Sequence, residues 1–182
     1  MDLTDEQVER NIPEDIVLCK TELYSIAKKI IEDFDKTHKN SDFKFLDYMK
    51  IGMWVNKNIE YDIRFIENTD YTAIDIYKKR RGVCHHFTKL SNALLYSLGY
   101  KVIFVYGYYC QNKKQFNEKS AHSWSLIKLG NKWYPFDSTW GIFSGKLTVG
   151  HIFGIFYDKV RETDGTDLVG IDDEIIEGNC LS

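Results

Sequence analysis

The chain reads as an α+β domain, with helices first and an antiparallel sheet after them. Three observations carry that reading. Apolar residues recur at helical spacing as far as about residue 98. The pattern then switches to a period of two after Gly99, and Gly130-Asn131 forms a short hairpin signal between two strand-like runs. The 182 residues suit one domain with its own core, and the two prolines, Pro13 and Pro135, build no linker to divide it. Residues 1–182 are therefore read as a single domain, with a helical part over about 1–60, a core over about 61–160 and a C-terminal segment over about 161–182.

Taken in order, Thr4 with Gln7 resembles a capping box for a short helix, and Pro13 suits the first turn of a longer one. Ile16, Cys19, Leu23, Ile26, Ile30 and Phe34 mark the face of that longer helix, which a polar loop follows at 38–42. Phe45, Leu46, Met49 and Met53 predict a second helix ending near Asn58, and 71–80 a short third one. Residues 84–98 carry Phe87, Leu90 and Leu94 on one helical face, with Gly99 where a C-terminal cap favours glycine. Residues 101–110 are β-branched and aromatic and read as a strand, as do 121–129 and 132–139. The polar stretch 111–120 is expected to form a mobile flap, and the acidic segment from about 161 a tail or a strand packed back on the domain.

Composition narrows the function classes. Lys and Arg number 24 against 27 Asp and Glu, a net charge of −3, which offers no electrostatic case for nucleic acid or a membrane surface. No apolar run is long enough to span a bilayer, and the acidic start lacks the apolar stretch of a secretion signal. Cys19, Cys84, Cys110 and Cys180 show no close pairing, so reduced thiols in a cytoplasmic setting are expected. Aromatic residues make up 15%, which predicts a core or cleft built from rings. His85 and His86 with Cys110 invite a metal reading, yet the chain has neither Cys-x-x-Cys nor His-x-x-x-His, so no metal or cofactor is expected. Asp164, Asp167, Asp172 and Asp173 lack the spacing of a calcium loop. Lys78-Lys79-Arg80-Arg81 reads as a solvated helix face.

The residues that point to chemistry begin with Cys84, which follows Gly82-Val83 and opens an apolar helix. The free N–H groups and positive dipole end of a helix stabilise an anion there, favouring the thiolate. A small buried packing thiol is the alternative on position alone. His122 and Asp137 shift the balance. With Gly130-Asn131 as a two-residue loop, Leu129 pairs with Lys132, Trp124 with Asp137 and His122 with Thr139, so His122 and Asp137 are diagonal neighbours on one face. A carboxylate on one imidazole nitrogen fixes the tautomer and leaves the other to face a thiol. Pro135 cannot donate in a ladder and requires an edge or a bulge, and a bulge would shift this register.

The segments GVCHHFTKLSNALLYSLGY (82–100), AHSWSLIKLGNKWYPFDSTWG (121–141) and, more weakly, WVNKNIEYD (54–62) resemble the core of the transglutaminase-like superfamily. The family pattern is a Gly-x-Cys helix start, then His-x-Trp on a strand, then Asp-x-Thr on the next, and all three stand here in order. The resemblance implies a papain-like arrangement, with Cys84 as nucleophile, His122 as general base and acid, and Asp137 orienting it. Trp140 and His85, near these residues in sequence, are candidate substrate contacts, Trp140 lining the acyl cleft. Trp124 is expected to pack in the core. The superfamily includes cross-linkers, proteases, amidases and inactive members. The animal cross-linking enzymes carry further β-domains and depend on calcium, and 182 residues leave no room for those domains. The expectation is therefore a thiol hydrolase of peptide or side-chain amides, acting on a protein or peptide substrate, with a catalytically idle interaction module as the alternative.

Overall fold

A computed structural model of the chain describes residues 20–41, 45–68, 70–109, 121–143 and 151–156. The expected Thr4 cap, Pro13, Cys19, Cys110, Cys180, the 111–120 flap and the acidic 161–182 segment lie outside the described residues. The helices come first, as the apolar spacing predicts. Helix α1 (Lys20–Thr37) buries Leu23, Ala27, Ile30 and Ile31. It runs three residues past Phe34, where the Thr37 hydroxyl donates to the Asp33 and Phe34 carbonyls and closes the last turn.

Helix α2 (Asp47–Asn58) ends where expected. Tyr48, Ile51 and Val55 are buried and Met49 packs against them, whereas Leu46, expected within the helix, precedes it and is exposed. Gly52 shares the buried face, where the rings of Phe136 and Phe143 occupy the space that a Cβ would need. Bare backbone at that point brings α2 close to the ring layer, and the Tyr48–Ile51–Val55 stripe follows it in.

Glu60–Tyr61 (β1) and Arg81–Gly82 (β2) form a short parallel pair, with Tyr61 opposite Gly82. Between them lie a 3₁₀ turn (Ile63–Phe65) and helix α3 (Ala73–Lys79). Helix α3 opens on a capping box: Thr72 Oγ1 accepts from the Asp75 N–H, and the Thr72 N–H donates to Asp75 Oδ2, both at 3.1 Å. The basic run that follows is not a uniform solvated face. Arg80 adopts a left-handed backbone, and its guanidinium lies 4.4 Å from the ring centre of Trp54 and 4.1 Å from that of Tyr77. Arg81 pairs with Glu60 at 3.0 Å.

Helix α4 (Cys84–Ser97) is buried on most sides because it packs against α1, α2 and α3 on one side and the sheet on the other. Gly99, at φ 90°, reverses the chain into the sheet. The sheet holds β3 (Val102–Tyr109), β4 (Ala121–Leu129), β5 (Lys132–Phe136) and β6 (His151–Phe156), in the order β5-β4-β3-β6 with antiparallel pairing. Strand β6 was not expected from the sequence. The β4–β5 register is the one derived from the hairpin, from Leu129 opposite Lys132 to Ser125 opposite Phe136. Pro135 needs no bulge, because β5 is an edge strand with no further neighbour among the described strands. Strand β5 stops at Phe136 rather than continuing to residue 139, and Asp137 instead bridges to Ile142 across a tight turn.

Candidate active site

Three elements of different origin deliver the reactive groups. Cys84 is the first residue of α4, His122 the second residue of β4, and Asp137 the first residue past the end of β5. Backbone geometry aims the last two at each other. His122 Nε2 donates to Asp137 Oδ2 at 2.7 Å, with the imidazole 5% and the carboxylate 0% exposed. A carboxylate on Nε2 holds the ring proton there and leaves Nδ1 as the nitrogen available to the thiol. The Cys84 thiol is hydrogen-bonded to the His122 ring and to the backbone of Ser123, the next residue along β4.

The electrostatics favour separated charge. Burial pushes the Cys84 thiol up, but the hydrogen bonds from His122 and Ser123 and the imidazole charge outweigh it, and the thiol falls below its ordinary value. For His122, burial opposes the charged form. The Asp137 hydrogen bond, then that of Cys84, overcome this and raise the imidazole to about 9. The two shifts run in opposite directions, and both favour a thiolate–imidazolium pair over the neutral pair.

The Asp137 carboxylate is held at both oxygens. While Oδ2 serves His122, Oδ1 accepts from the Thr139 N–H at 2.8 Å and the Trp140 N–H at 3.3 Å. The same turn brings the Trp140 ring against the His122 imidazole, centroids 4.1 Å apart and planes within 9°. Trp124, fully buried, lies on the imidazole at 5.9 Å. Trp124 is thus a core residue, as expected. Trp140 stays 41% exposed and shields His122 while presenting aromatic surface beside it.

His85 takes a different place from the one expected. It is buried, hydrogen-bonded through Nδ1 to the Tyr106 hydroxyl, and packed on the Phe104 ring at 5.1 Å. At the second position of α4 its side chain turns into the interface with β3, where it packs rather than facing open solvent. His86 secures the helix start: Nδ1 accepts from the Val83 N–H at 3.1 Å, and Nε2 donates to the Asn68 carbonyl at 2.8 Å. Burial holds its pKa below the usual histidine value, which keeps the ring neutral for both bonds. Among the described residues, no three His, Cys, Asp or Glu side chains cluster as metal ligands.

The glycine of Gly-x-Cys has a steric reason. A Cβ on Gly82 would lie 2.4 Å from His86 Cβ, and His86 is tied at both nitrogens. Gly82→Ala is expected to cost about 1–3 kcal/mol by overcrowding and to slow alkylation of Cys84; thermal melts and thiol labelling check both.

Sequence reasoning missed Ser123, Tyr61 and the polar seam under α4. Ser123 was hidden by its neighbour, although strand alternation with His122 made it visible as an inward or outward choice. Tyr61, 54% exposed, lies near enough to Cys84 for the thiolate charge to add to burial in raising its phenol. Along α4, the Thr88 hydroxyl donates to the Ser123 carbonyl (3.0 Å), Ser91 to the Ser138 hydroxyl (2.7 Å), and Asn92 Oδ1 accepts from Ser125 (2.7 Å). These three positions lie on one helix face and set α4 against β4 and the Asp137 turn.

The fold and this constellation define a member of a known class. A family model described as the transglutaminase-like superfamily matches residues 28–138, and the chain belongs to that superfamily. Among curated proteins it is similar to the kyphoscoliosis peptidase of Mus musculus, 28% identical over 98 residues, and to that of Homo sapiens, 29% identical over 98 residues. Those alignments take in 50% of this chain and 15% of each relative, so the chain spans about one-seventh of their length. Among solved structures it resembles a candidate cysteine protease from Cytophaga hutchinsonii, with a TM-score of 0.50 and 22% identity over 76% of this chain and 43% of that one. That likeness bears on the fold alone.

Proposed function

We propose that the chain is a cysteine acyl-transfer enzyme that cleaves peptide or side-chain amides, and that it hydrolyses rather than cross-links. The observation that carries the reading is His122, buried between the Cys84 thiol and the Asp137 carboxylate with its basicity raised. In this mechanism the Cys84 thiolate attacks the amide carbonyl carbon, and the helix-start N–H groups receive the oxygen's charge. Collapse breaks the C–N bond as His122 Nδ1 gives its proton to the leaving amine, leaving a Cys84 thioester. Water then attacks the thioester carbonyl as His122 takes a proton from it. Breaking the C–S bond returns the thiolate and releases the acid. The relatives named as peptidases support the hydrolytic outcome.

Competitive iodoacetamide labelling near neutral pH is expected to modify Cys84 well before Cys19, Cys110 and Cys180, and a thiol-reactive glutamine or amide probe to map to Cys84. Equal rates at all four cysteines would count against an activated thiolate.

A further inference from the structure

We propose that Asn56 on α2 is a positioning residue for the His122–Asp137 pair, acting through the turn that carries Asp137 and Trp140. The inference rests on the reading of His122 as the base. Asn56 Nδ2 donates to the Ser138 carbonyl at 2.9 Å and to the Thr139 carbonyl at 3.0 Å, across more than 80 residues of sequence. Those two carbonyls belong to the same two peptide units whose N–H groups, on Thr139 and Trp140, donate to Asp137 Oδ1. A peptide unit is planar and trans, so its C=O and N–H point in opposite directions. Holding both carbonyls from outside therefore aims both N–H groups at the carboxylate inside.

The turn is closed at its base, where Asp137 and Ile142 exchange backbone bonds of 2.8 Å, and the Ser138 side chain is tied to Ser91 and to the Phe87 carbonyl on α4. Its two middle peptide planes rely on Asn56 on one side and the Asp137 carboxylate on the other. Freed from Asn56, they can rotate, and Oδ1 then loses donors that fix the carboxylate opposite His122 Nε2. The Trp140 ring rides on the same turn, so its stacking on His122 loosens with it. Hydrogen bonds in such a chain polarise one another, so a donor outside the turn strengthens the contacts within it. Asn56 itself is exposed and touches no reacting atom.

The test compares Asn56→Ala with Asn58→Ala, whose lost amide serves only the Trp54 carbonyl in its own helix. The His122 imidazole is titrated by NMR, and Cys84 alkylation is timed at neutral pH. Asn56→Ala is expected to move the His122 titration down from about 9 toward the ordinary histidine range and to slow alkylation about tenfold. Asn58→Ala is expected to leave both unchanged. Asn56→Asp keeps the side-chain shape without the donors and is expected to slow alkylation as alanine does. A His122 titration unmoved in Asn56→Ala, wild-type alkylation in Asn56→Asp, or an equal loss in Asn58→Ala would overturn the proposal. A wild-type protein whose His122 titrates high but which turns over no amide would sink the acyl-transfer reading alone.

Discussion

Cys84→Ala is expected to abolish acyl transfer, by a factor on the order of 10⁴–10⁶, while the fold stays nearly intact. The sulfur is the only atom that forms the covalent bond in the proposed route, and neither His122 nor Asp137 can replace it. Its packing role is small. Cys84 is partly exposed at the first position of α4, and the helix start is held by His86, Val83 and Asn68 rather than by the thiol. Truncating it is expected to cost about 1 kcal/mol of stability. Turnover, thermal melting and a rescue assay on Cys84→Ala, with Trp140→Ala beside it, separate the two readings of the fold. Full rescue by a well-folded Cys84→Ala, combined with failure of Trp140→Ala, would assign the assayed function to an interaction surface. A collapsed melt would make Cys84 a packing thiol.

Asp137→Asn is expected to reduce kcat/KM by roughly 10²–10⁴-fold. The direction follows from the turn. Thr139 and Trp140 N–H groups both donate toward Oδ1, so an asparagine must place its carbonyl oxygen there. Its NH₂ group then faces His122 Nε2, which has to accept. The ring proton moves to Nδ1, the nitrogen meant to receive one from the attacking group. Loss of the carboxylate also removes the main influence raising the imidazole, so the alkaline limb of the pH profile, near 9 in the wild type, moves to lower pH. The stability sign agrees. A histidine raised in the folded state contributes fully below its unfolded value, and the contribution fades as pH rises through about 9. The melting difference between wild type and Asp137→Asn should therefore be largest in mildly acidic buffer and shrink toward pH 9. A pH-independent loss, with the alkaline limb unmoved, would refute the orienting role.

Much of this site was legible because its parts are close in sequence. The hairpin at Gly130-Asn131 sets a register by counting alone as far as Ser125 opposite Phe136; the expected Trp124–Asp137 and His122–Thr139 pairs do not form, and the turn after Phe136 brings Asp137 to His122 instead. Gly82, Cys84 and the apolar helix after them announce a helix start through spacing and cap chemistry. Other parts were misjudged where burial had to choose between chemically similar options. His85 and His86 look alike in the sequence, but the packing of α4 sends one to Tyr106 on β3 and the other to Asn68. The spacing of Phe45, Leu46, Met49 and Met53 predicts α2 but not its buried stripe of Tyr48, Ile51 and Val55, which Gly52 and the rings opposite it select.

The α+β order, the transglutaminase-like resemblance and the hairpin register follow from residue types at short spacing along the chain. The other contacts of the site come from packing between distant segments. The seam of Thr88, Ser91 and Asn92 sets α4 against β4, which brings Cys84 to His122 and Ser123, and the stacking of Trp140 on His122 depends on a turn pinned by Asn56 from a distant helix. These contacts join segments tens of residues apart, and no periodicity along one segment records which face of another it will meet. Shape and buried hydrogen bonding make that choice, and both exist only once the chain is packed.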